Sequence, residues 1–245
     1  MLSLFKLAAL GVHTMLVAPA IVVTAAFDDR LAYRLCELWS RANLLVFGID
    51  VRSRRLAPLD PTRPYVFMAN HTSHLDVLAV VAALPEMQLR WVAKKELLDV
   101  PVFGWALKHA GHIIIDRQNN AQAVASLRAA REKMERGISV IIFPEGTRAP
   151  SDDALLPFKK GGFMLALETG LPIVPIAVRG GWRLLPRDSW RIHGGTMDVV
   201  VGAPIATQGA TREALMAQVA AFMREHLALP VAAAVPPLPA AESVA

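Results

Sequence analysis

Residues 70–76 contain the side chains of this sequence that are best suited to proton transfer. They directly follow an apolar run that ends at Ala69. Loops after the carboxyl ends of strands are where α/β proteins place their sites. His71 and Asp76 are separated by four residues, so a loop folded back over the first helical turn lets the carboxylate accept from the imidazole. Such a contact fixes the tautomer of the ring and leaves its other nitrogen free as a base.

The same residues also allow two structural interpretations. Ser73 fits the N-cap of the following helix, and Asp76 completes a capping box with it. The tripeptide His74-Leu75-Asp76 matches part of the zinc-hydrolase pattern H-x-H-x-D-H. Thr72 and Val77 stand where that pattern requires its first and last histidines, so we expect no metal site.

Three further motifs follow along the chain. Ile113-Ile114-Ile115-Asp116-Arg117 is an apolar run that ends in an acid–base pair. Phe143-Pro144-Glu145-Gly146-Thr147-Arg148 combines the end of an apolar run, a turn-forming glycine and an arginine, whose planar guanidinium matches a phosphate. Leu171-Pro172-Ile173-Val174-Pro175-Ile176 is typical of an edge strand or a tunnel wall. Each motif is a weak signal when it is taken alone.

The order and spacing of the four motifs are far more specific. An H-x4-D pair, an IDR strand end, FPEGTR and a proline-bracketed apolar strand succeed one another over residues 65–178. This arrangement closely resembles the glycerophospholipid acyltransferase family, and within it the 1-acylglycerol-3-phosphate O-acyltransferases. Residues 156–162, LPFKKGG, also look like the segment that follows FPEGTR in that family.

The resemblance implies a role for each motif. His71 would be the general base that takes the proton from the acceptor hydroxyl, and Asp76 would orient it, with no covalent intermediate on the enzyme. Arg148 would bind the phosphate of the acceptor. The other residues expected at the phosphate are Glu145, Gly146, Thr147, Arg117 and Lys94. The residues expected to line an acyl-chain tunnel are Pro172, Ile173, Val174 and Pro175.

The resemblance also implies a reaction and a fold. A fatty acyl group would pass from acyl-CoA or acyl-carrier protein to the free hydroxyl of 1-acylglycerol-3-phosphate, giving phosphatidic acid in phospholipid synthesis. No cofactor and no metal are implied, because the acyl thioester is itself a substrate. The expected fold is an αβα layered α/β domain with a mixed, largely buried sheet.

Three alternatives stay open on the sequence. Relatives with similar motifs acylate other lyso-lipids, such as lyso-ornithine lipid or lysophospholipids with head groups. A membrane-anchored lipid-binding protein that has lost activity is a different class, although intact His71 and Asp76 argue against it. A metal hydrolase of the inner membrane surface is a third class, which metal analysis would reveal.

Short apolar runs alternate with helical patterns from Val51 onward, and this alternation predicts an α/β domain with a buried sheet. The expected strands are residues 65–69, 89–93, 112–115, 140–143, 173–178 and 197–201. The expected helices are residues 74–83, 119–136, 161–169 and 211–227.

The N-terminal region has a different character. Residues 7–27 carry no formal charge and are long enough to span a bilayer, but Pro19 is expected to kink or break a helix there. Residues 30–47 form an amphipathic pattern with a basic edge. Its apolar positions are Leu31, Leu35, Leu38, Ala42 and Leu45.

Three arrangements of this region are possible: a spanning helix followed by an interfacial one, a two-helix hairpin within one leaflet that turns near Asp28-Asp29, or a cleaved signal peptide. We therefore expect a membrane-associated helical segment over residues 1–47, an acyltransferase domain over 48–229 and a disordered Pro/Ala-rich tail over 230–245.

Composition limits the partners of the protein. Apolar residues make up 54% of its 245 residues and the net charge is +5, which suits an anionic membrane surface or phosphorylated substrates. The sequence has no dense Lys/Arg helix and no basic patch with interleaved aromatics, which argues against nucleic acid. A single cysteine, Cys36, excludes an internal disulfide and fits a reducing compartment.

The expected location is the inner membrane, with the active site facing the cytoplasm. Acyl thioesters are made in the cytoplasm. Arg30, Arg34 and Arg41 follow the apolar segment, and the positive-inside bias keeps that side cytoplasmic.

Overall fold

The computed structural model of the chain describes residues 2–115 and 129–227. Asp116, Arg117 and the tail 230–245 lie outside these described residues. The described residues form a seven-stranded sheet in the order β1-β7-β6-β2-β5-β3-β4. Its strands are β1 (Ile49–Arg55), β2 (Val66–Ala69), β3 (Leu89–Lys94), β4 (Ile113–Ile115), β5 (Ser139–Ile142), β6 (Ile173–Arg179) and β7 (Gly195–Val201).

The sheet is mixed, as the sequence predicts. Strands β2 to β6 run parallel to one another, β7 is antiparallel to β6, and β1 is parallel to β7. Because parallel strands end at the same edge of a sheet, the segments that follow β2, β3, β5 and β6 meet at one edge. The H-x4-D block, Lys94, the FPEGTR loop and the pair Gly180-Gly181 all lie there.

The helices flank this sheet. They are α1 (Leu2–Ala25), α2 (Asp29–Phe47), α3 (Leu75–Ala83), α4 (Phe103–His109), the described part of α5 (129–135), α6 (Gly161–Thr169), α7 (Gly181–Leu184) and α8 (Arg212–Leu227). A 3-10 helix, Lys95–Asp99, follows β3. The sequence patterns did not predict β1, α4, α7 or the 3-10 helix. The three helices are short, and β1 is largely exposed and contains three arginines.

Two apolar clusters cover the two faces of the sheet. One joins the sheet to α2 and α3 and includes Phe47, Phe67 and Leu75, all nearly free of solvent contact. The other joins the sheet to α6 and α8 and includes Phe163 and Met223. Helices on both faces of a largely buried sheet give the expected αβα layering.

Helices α1 and α2 form an antiparallel hairpin. The turn between them is capped by Asp28, whose carboxylate accepts from the backbone N–H of Arg30 at 2.8 Å and of Leu31 at 3.1 Å. At the open end, the buried Lys6 donates to the carbonyl of Phe47 at 2.6 Å. Helix α1 continues through Pro19, so the expected break does not occur there.

The hairpin exposes a large apolar surface. Helix α1 is long and apolar enough to cross a membrane, and Leu4 and Leu16 are among its exposed side chains. On α2 the leucines at steps of seven, Leu31, Leu38 and Leu45, face outward. Tyr33, Leu44 and Phe47 form its buried side. The helix is therefore apolar toward the core and also along one exposed stripe.

Candidate active site

The first element of the site is the loop between β2 and α3. Asn70 fixes its start, because its buried side chain donates to the carbonyl of Val178 at 2.8 Å and accepts from the Val178 N–H at 2.7 Å. These bonds extend the pairing of β2 with β6 by one residue, so the chain turns at a fixed position and His71 begins the loop.

His71 and Asp76 are in contact. The Nδ1 atom of His71 lies 3.0 Å from Oδ2 of Asp76, which is completely buried. The same oxygen accepts from the backbone N–H groups of Thr72 at 2.7 Å and Ser73 at 2.8 Å. An ionised acceptor bonded in this way makes Nδ1 the protonated nitrogen, and Nε2 is then the basic one. The ring lies at the wall of a cavity.

The capping-box prediction is only half right. Asp76 makes the expected bond back to the Ser73 N–H, but α3 begins at Leu75 with His74 as its N-cap. The Ser73 hydroxyl donates to the carbonyl of Leu185 at 2.8 Å. The same hydroxyl accepts from the Leu75 N–H at 3.3 Å, so Ser73 caps the first turn of α3 and also ties this loop to the segment after α7.

The FPEGTR loop holds the backbone of His71 from both sides. Oε1 of Glu145 accepts from the His71 N–H at 2.7 Å, and the Ala149 N–H donates to the His71 carbonyl at 2.7 Å. The ring of Phe143 stacks on the imidazole with 3.9 Å between the ring centroids and 8° between the planes. The FPEGTR loop thus positions His71 of the H-x4-D pair.

Glu145 does not reach the cavity where a phosphate could bind. Its side chain is buried, and its second oxygen, Oε2, accepts from the Leu156 N–H at 2.8 Å. Burial raises the pKa of Glu145 to about 7, against the opposing effect of these two backbone bonds. The expected phosphate contact by Glu145 is therefore replaced by a role in bracing the loop.

A cavity of about 400 Å³ opens beside His71. That volume lies within the range of small-molecule sites. Its mouth is polar and basic, and Gly146 and Thr147 of the FPEGTR loop are part of its wall. The basic side chains at the mouth are those of Lys94, Arg148 and Arg187.

Within residues 2–115 and 129–227, Arg148 makes one hydrogen bond, from its guanidinium to the carbonyl of Arg187 at 3.1 Å. Partial burial, and then the charge of Arg187, lower the pKa of Arg148 from its usual value. His74 also lines the cavity, and burial followed by the charge of Arg148 lowers the pKa of His74 to about 4. At neutral pH the mouth therefore combines cationic side chains with a neutral His74, which suits an anionic group.

The deeper part of the cavity is mostly apolar. The hairpin supplies one wall through residues such as Ile21 and Tyr33, and Trp91 and Leu107 face them. Burial raises the pKa of the Cys36 thiol, which also lines this part, to about 11. A thiol that stays protonated is a poor nucleophile, so Cys36 is unsuited to covalent catalysis.

The deep end also contains a buried cation. Arg90 forms an ion pair with Asp29 at the start of α2, and His112 accepts from the Trp91 N–H at 3.1 Å. Complete burial lowers the pKa of His112 to about 3, so this ring stays neutral. The ion pair thus links the turn of the hairpin to β3.

The structure does not place Pro172, Ile173, Val174 and Pro175 in this cavity. They belong to or adjoin β6, which lies between β2 and β7, and Ile173 and Val174 pack into the two opposite core clusters. The apolar character that suggested a tunnel wall is explained by burial on both faces of a central strand. The tunnel-lining prediction is wrong for these residues, and the hairpin, β3 and α4 provide the wall instead.

Sequence reasoning missed three residues that shape the site. Phe143 stacks on His71, Gly181 packs against the carboxylate of Asp76, and the carboxylate of Asp152 accepts from the N–H groups of Gly180 and Trp182 at 3.2 Å each. A glycine pair directly after a central strand was the available signal for Gly181. Arg117 lies outside the described residues, and within them no group of three His, Cys, Asp or Glu side chains could hold a metal ion.

Comparison with known proteins agrees with this architecture. Residues 49–179 match the family model described as Acyltransferase, which covers more than half of the chain. The chain is 35% identical over 167 residues to the human 1-acyl-sn-glycerol-3-phosphate acyltransferase alpha, covering 68% of this chain and 58% of the relative. It is 30% identical over 189 residues to a chloroplastic 1-acyl-sn-glycerol-3-phosphate acyltransferase of Brassica napus, covering 76% of this chain and 54% of the relative.

The chain therefore spans little more than half the length of these curated relatives. A solved structure shares its fold: the 1-acyl-sn-glycerophosphate acyltransferase PlsC from Thermotoga maritima superposes with a TM-score of 0.80 at 24% identity, over 93% of each chain. Because the family model spans more than half of the chain, including the H-x4-D and FPEGTR loops, the chain belongs to the acyltransferase family.

Proposed function

We propose that this protein transfers a fatty acyl group from acyl-CoA or acyl-carrier protein to the free hydroxyl of 1-acylglycerol-3-phosphate. The observation that carries the proposal is the contact of His71 with the buried Asp76 at the mouth of a cavity that is basic outside and apolar inside. The basic mouth suits a phosphomonoester, and the apolar interior suits a fatty acyl chain. The human and Brassica napus relatives carry the name of this activity.

The mechanism follows from the two nitrogens of His71. Nε2 removes the proton of the acceptor hydroxyl while the oxygen attacks the thioester carbonyl, and Asp76 stabilises the imidazolium that forms. The tetrahedral intermediate then expels the thiolate, which takes the proton back from His71. No enzyme nucleophile is needed, because the acceptor alcohol itself forms the new ester bond. A positioned base of this kind contributes about 10²–10⁴-fold to the rate.

The phosphate of the acceptor is assigned to Arg148, with Lys94 as a second contact. Both line the mouth beside His71, and the guanidinium of Arg148 uses one N–H group on the carbonyl of Arg187. The remaining guanidinium donors suit a phosphate in the paired geometry that arginine prefers. Glu145 bonds to the N–H groups of His71 and Leu156, whereas Arg148 bonds to the carbonyl of Arg187.

Membrane association is part of the proposal. The exposed apolar surface of α1 and the leucine stripe of α2 suit lipid, and the same hairpin forms a wall of the cavity. A lipid acceptor could therefore enter without crossing water. Removal of the whole hairpin would also remove core residues such as Phe47, so serine substitutions at Leu31, Leu38 and Leu45 are the cleaner test. They should lower the membrane-bound fraction while the protein stays folded.

A thiol-release assay tests the activity. Long-chain acyl-CoA is combined with 1-acylglycerol-3-phosphate, glycerol 3-phosphate, lyso-ornithine lipid and a lysophospholipid with a head group in parallel reactions. We expect the fastest thiol release with 1-acylglycerol-3-phosphate. A preference for a lyso-lipid without a free phosphate would replace this acceptor while leaving the acyl-transfer chemistry in place. An absence of release with every acceptor, from acyl-CoA and from acyl-carrier protein, would contradict the proposal.

A further inference from the structure

The segment between α7 and β7, residues 185–194, has an unusual exposed surface. Trp190 is 78% exposed, which is exceptional for so large an aromatic side chain. Arg187 and Arg191 flank it and are also exposed, and Asp188 is the single acidic residue of the segment. We call residues 185–194 the tryptophan loop.

The tryptophan loop is fastened to the membrane hairpin. Nζ of Lys6 donates to the carbonyl of Ile192 at 3.2 Å and to the carbonyl of Phe47 at 2.6 Å. Lys6 is only 5% exposed although it lies in a helix with a largely exposed apolar surface. One buried ammonium group therefore joins the start of α1, the end of α2 and this loop.

The tryptophan loop is also fastened to the candidate active site. Arg187 lies at the mouth of the cavity, and its carbonyl accepts from the guanidinium of Arg148. The Ser73 hydroxyl donates to the carbonyl of Leu185, the first residue of the loop. The loop thus extends from the mouth of the cavity to the open end of the hairpin.

The residues around the open end of the hairpin indicate which partner Trp190 contacts. Leu2, Leu4 and Phe5 at the start of α1, and Leu45 near the end of α2, expose most of their side chains. Tryptophan beside an apolar surface, with arginines next to it, is the composition found at the level of lipid head groups. Exposed arginines near an anionic leaflet add electrostatic attraction.

We propose that the tryptophan loop is a second membrane contact, which places Trp190 at the head-group level of an anionic bilayer and Arg191 against lipid phosphates. The inference rests on the membrane association of the hairpin and not on acyl transfer. Its consequence is geometric. Because Arg148 is bonded to this loop, the mouth of the cavity is held at the depth where the phosphate of a lyso-lipid in the bilayer lies.

Fluorescence of the full-length protein tests this contact. The protein is reconstituted in vesicles of phosphatidylglycerol and a phosphatidylcholine that is brominated in the upper part of its acyl chains. The emission of Trp190 is obtained as the difference between the wild type and Trp190→Phe. We expect this emission to be lost in brominated vesicles relative to unbrominated ones and to be shielded from iodide in the water phase.

Charge variants provide the matched comparison. Arg191→Gln should restore part of the Trp190 emission in the brominated anionic vesicles. Arg131→Gln removes an exposed arginine from α5, whose residues Ala130 and Met134 pack into the core cluster on the other face of the sheet, and should leave the emission unchanged. Equal emission of Trp190 in brominated and ordinary vesicles, with free access of iodide, would overturn the proposal.

A protein partner is the competing outcome. If the loop docks an acidic carrier protein, Trp190 stays unquenched by brominated lipid and changes its emission when acyl-carrier protein is added, and the membrane contact is then refuted. No measurement in this experiment uses acyl transfer. A failure of the loop proposal is therefore distinguishable from a failure of the proposed enzymatic function.

Discussion

Gly181 lies directly against Oδ1 of Asp76, so closely that a β-carbon at this position would overlap the carboxylate oxygen and touch Cβ of Ser73. The other oxygen of Asp76, Oδ2, bonds to His71 and to two backbone N–H groups. Among the described residues Oδ1 has no hydrogen-bond partner. Gly181 therefore limits by steric contact the position of Oδ1, the Asp76 oxygen that no hydrogen bond holds.

Gly181→Ala should displace Asp76 and, through it, the ring of His71. We expect kcat to fall by about 10–100-fold, because small misplacements of catalytic groups have effects of this size, with both KM values nearly unchanged. In an Asp76→Ala background the overlap with the carboxylate disappears and only the contacts with Cβ of Ser73 and Cε of Met197 remain, so Gly181→Ala should cause little further loss there. Gly161→Ala is the matched control, because a β-carbon at Gly161 meets no atom within 4 Å. Additive losses in the double variant would contradict this coupling.

His71→Ala should lower turnover by about 10²–10⁴-fold, the usual contribution of a general base. The fold should persist, because the residue lies in a loop and its main tertiary contact is the stack on Phe143, worth about 0.5–1.5 kcal/mol. Steady-state rates and thermal unfolding measure the two effects. His109→Ala, an exposed histidine on α4, serves as the control. Retention of more than a few per cent of the activity would show that another group is the base.

Glu145→Gln should destabilise the protein, because an amide cannot accept from both the His71 and the Leu156 N–H groups. A buried N–H group that is left without an acceptor costs about 1–3 kcal/mol. The pH dependence has a definite sign. Burial raises the pKa of Glu145 from 4.5 to about 7, so the folded state binds more protons than the unfolded state between these values. The stabilisation that comes from protonation of Glu145 in the folded state is fully present below pH 4.5. It is lost as the pH rises to about 7.

Urea unfolding of the wild type and Glu145→Gln at about pH 5 and about pH 8 measures this difference. The advantage of the wild type in unfolding free energy should be larger at the lower pH. An advantage that grows toward the higher pH would show that the carboxylate is stabilised in its charged form instead.

Arg148→Ala should raise the KM of the lyso-lipid acceptor about tenfold or more, because a hydrogen bond to a charged group is worth about 1.5–3 kcal/mol. The KM of acyl-CoA should change little. Arg148→Lys should recover only part of the affinity, since an ammonium lacks the planar pair of donors. Arg212→Ala, on α8 at the other face of the sheet, controls for the loss of one positive charge. If Arg148→Ala raises the KM of the acceptor and of acyl-CoA together and lowers thermal stability, Arg148 stabilises the FPEGTR loop and does not bind the phosphate.

Lys6→Met should loosen the hairpin from the domain. It leaves the carbonyls of Phe47 and Ile192 without this donor, which costs about 1–3 kcal/mol of unfolding free energy. A lower melting temperature in detergent would report this loss. Lys108→Met, at an exposed position of α4, should leave the melting temperature nearly unchanged. Identical melting curves for the two variants would mean that the buried ammonium does not hold the hairpin in place.

Local sequence patterns were sufficient to predict most strands and helices and the contact of His71 with Asp76. Helix α6 has the predicted bounds, and the predicted strands were found within one or two residues at each end, because apolar periodicity reflects burial directly. The spacing of His71 and Asp76 was enough to predict their contact, since both belong to one loop and the first turn of one helix. The mixed, layered sheet followed from the alternation of strands and helices together with the family resemblance.

The tertiary structure alone decided the contacts between segments far apart in the chain. Glu145 braces the backbone of His71, Gly181 abuts Asp76, and Lys6 bonds to Ile192, and no local pattern distinguishes these residues from ordinary loop or helix positions. The wall of the cavity was misassigned to β6 for a related reason. Apolar strand residues look alike in sequence whether they face a cavity or a packed core. Only the tertiary structure shows that β6 is an inner strand whose two faces both pack into apolar core clusters.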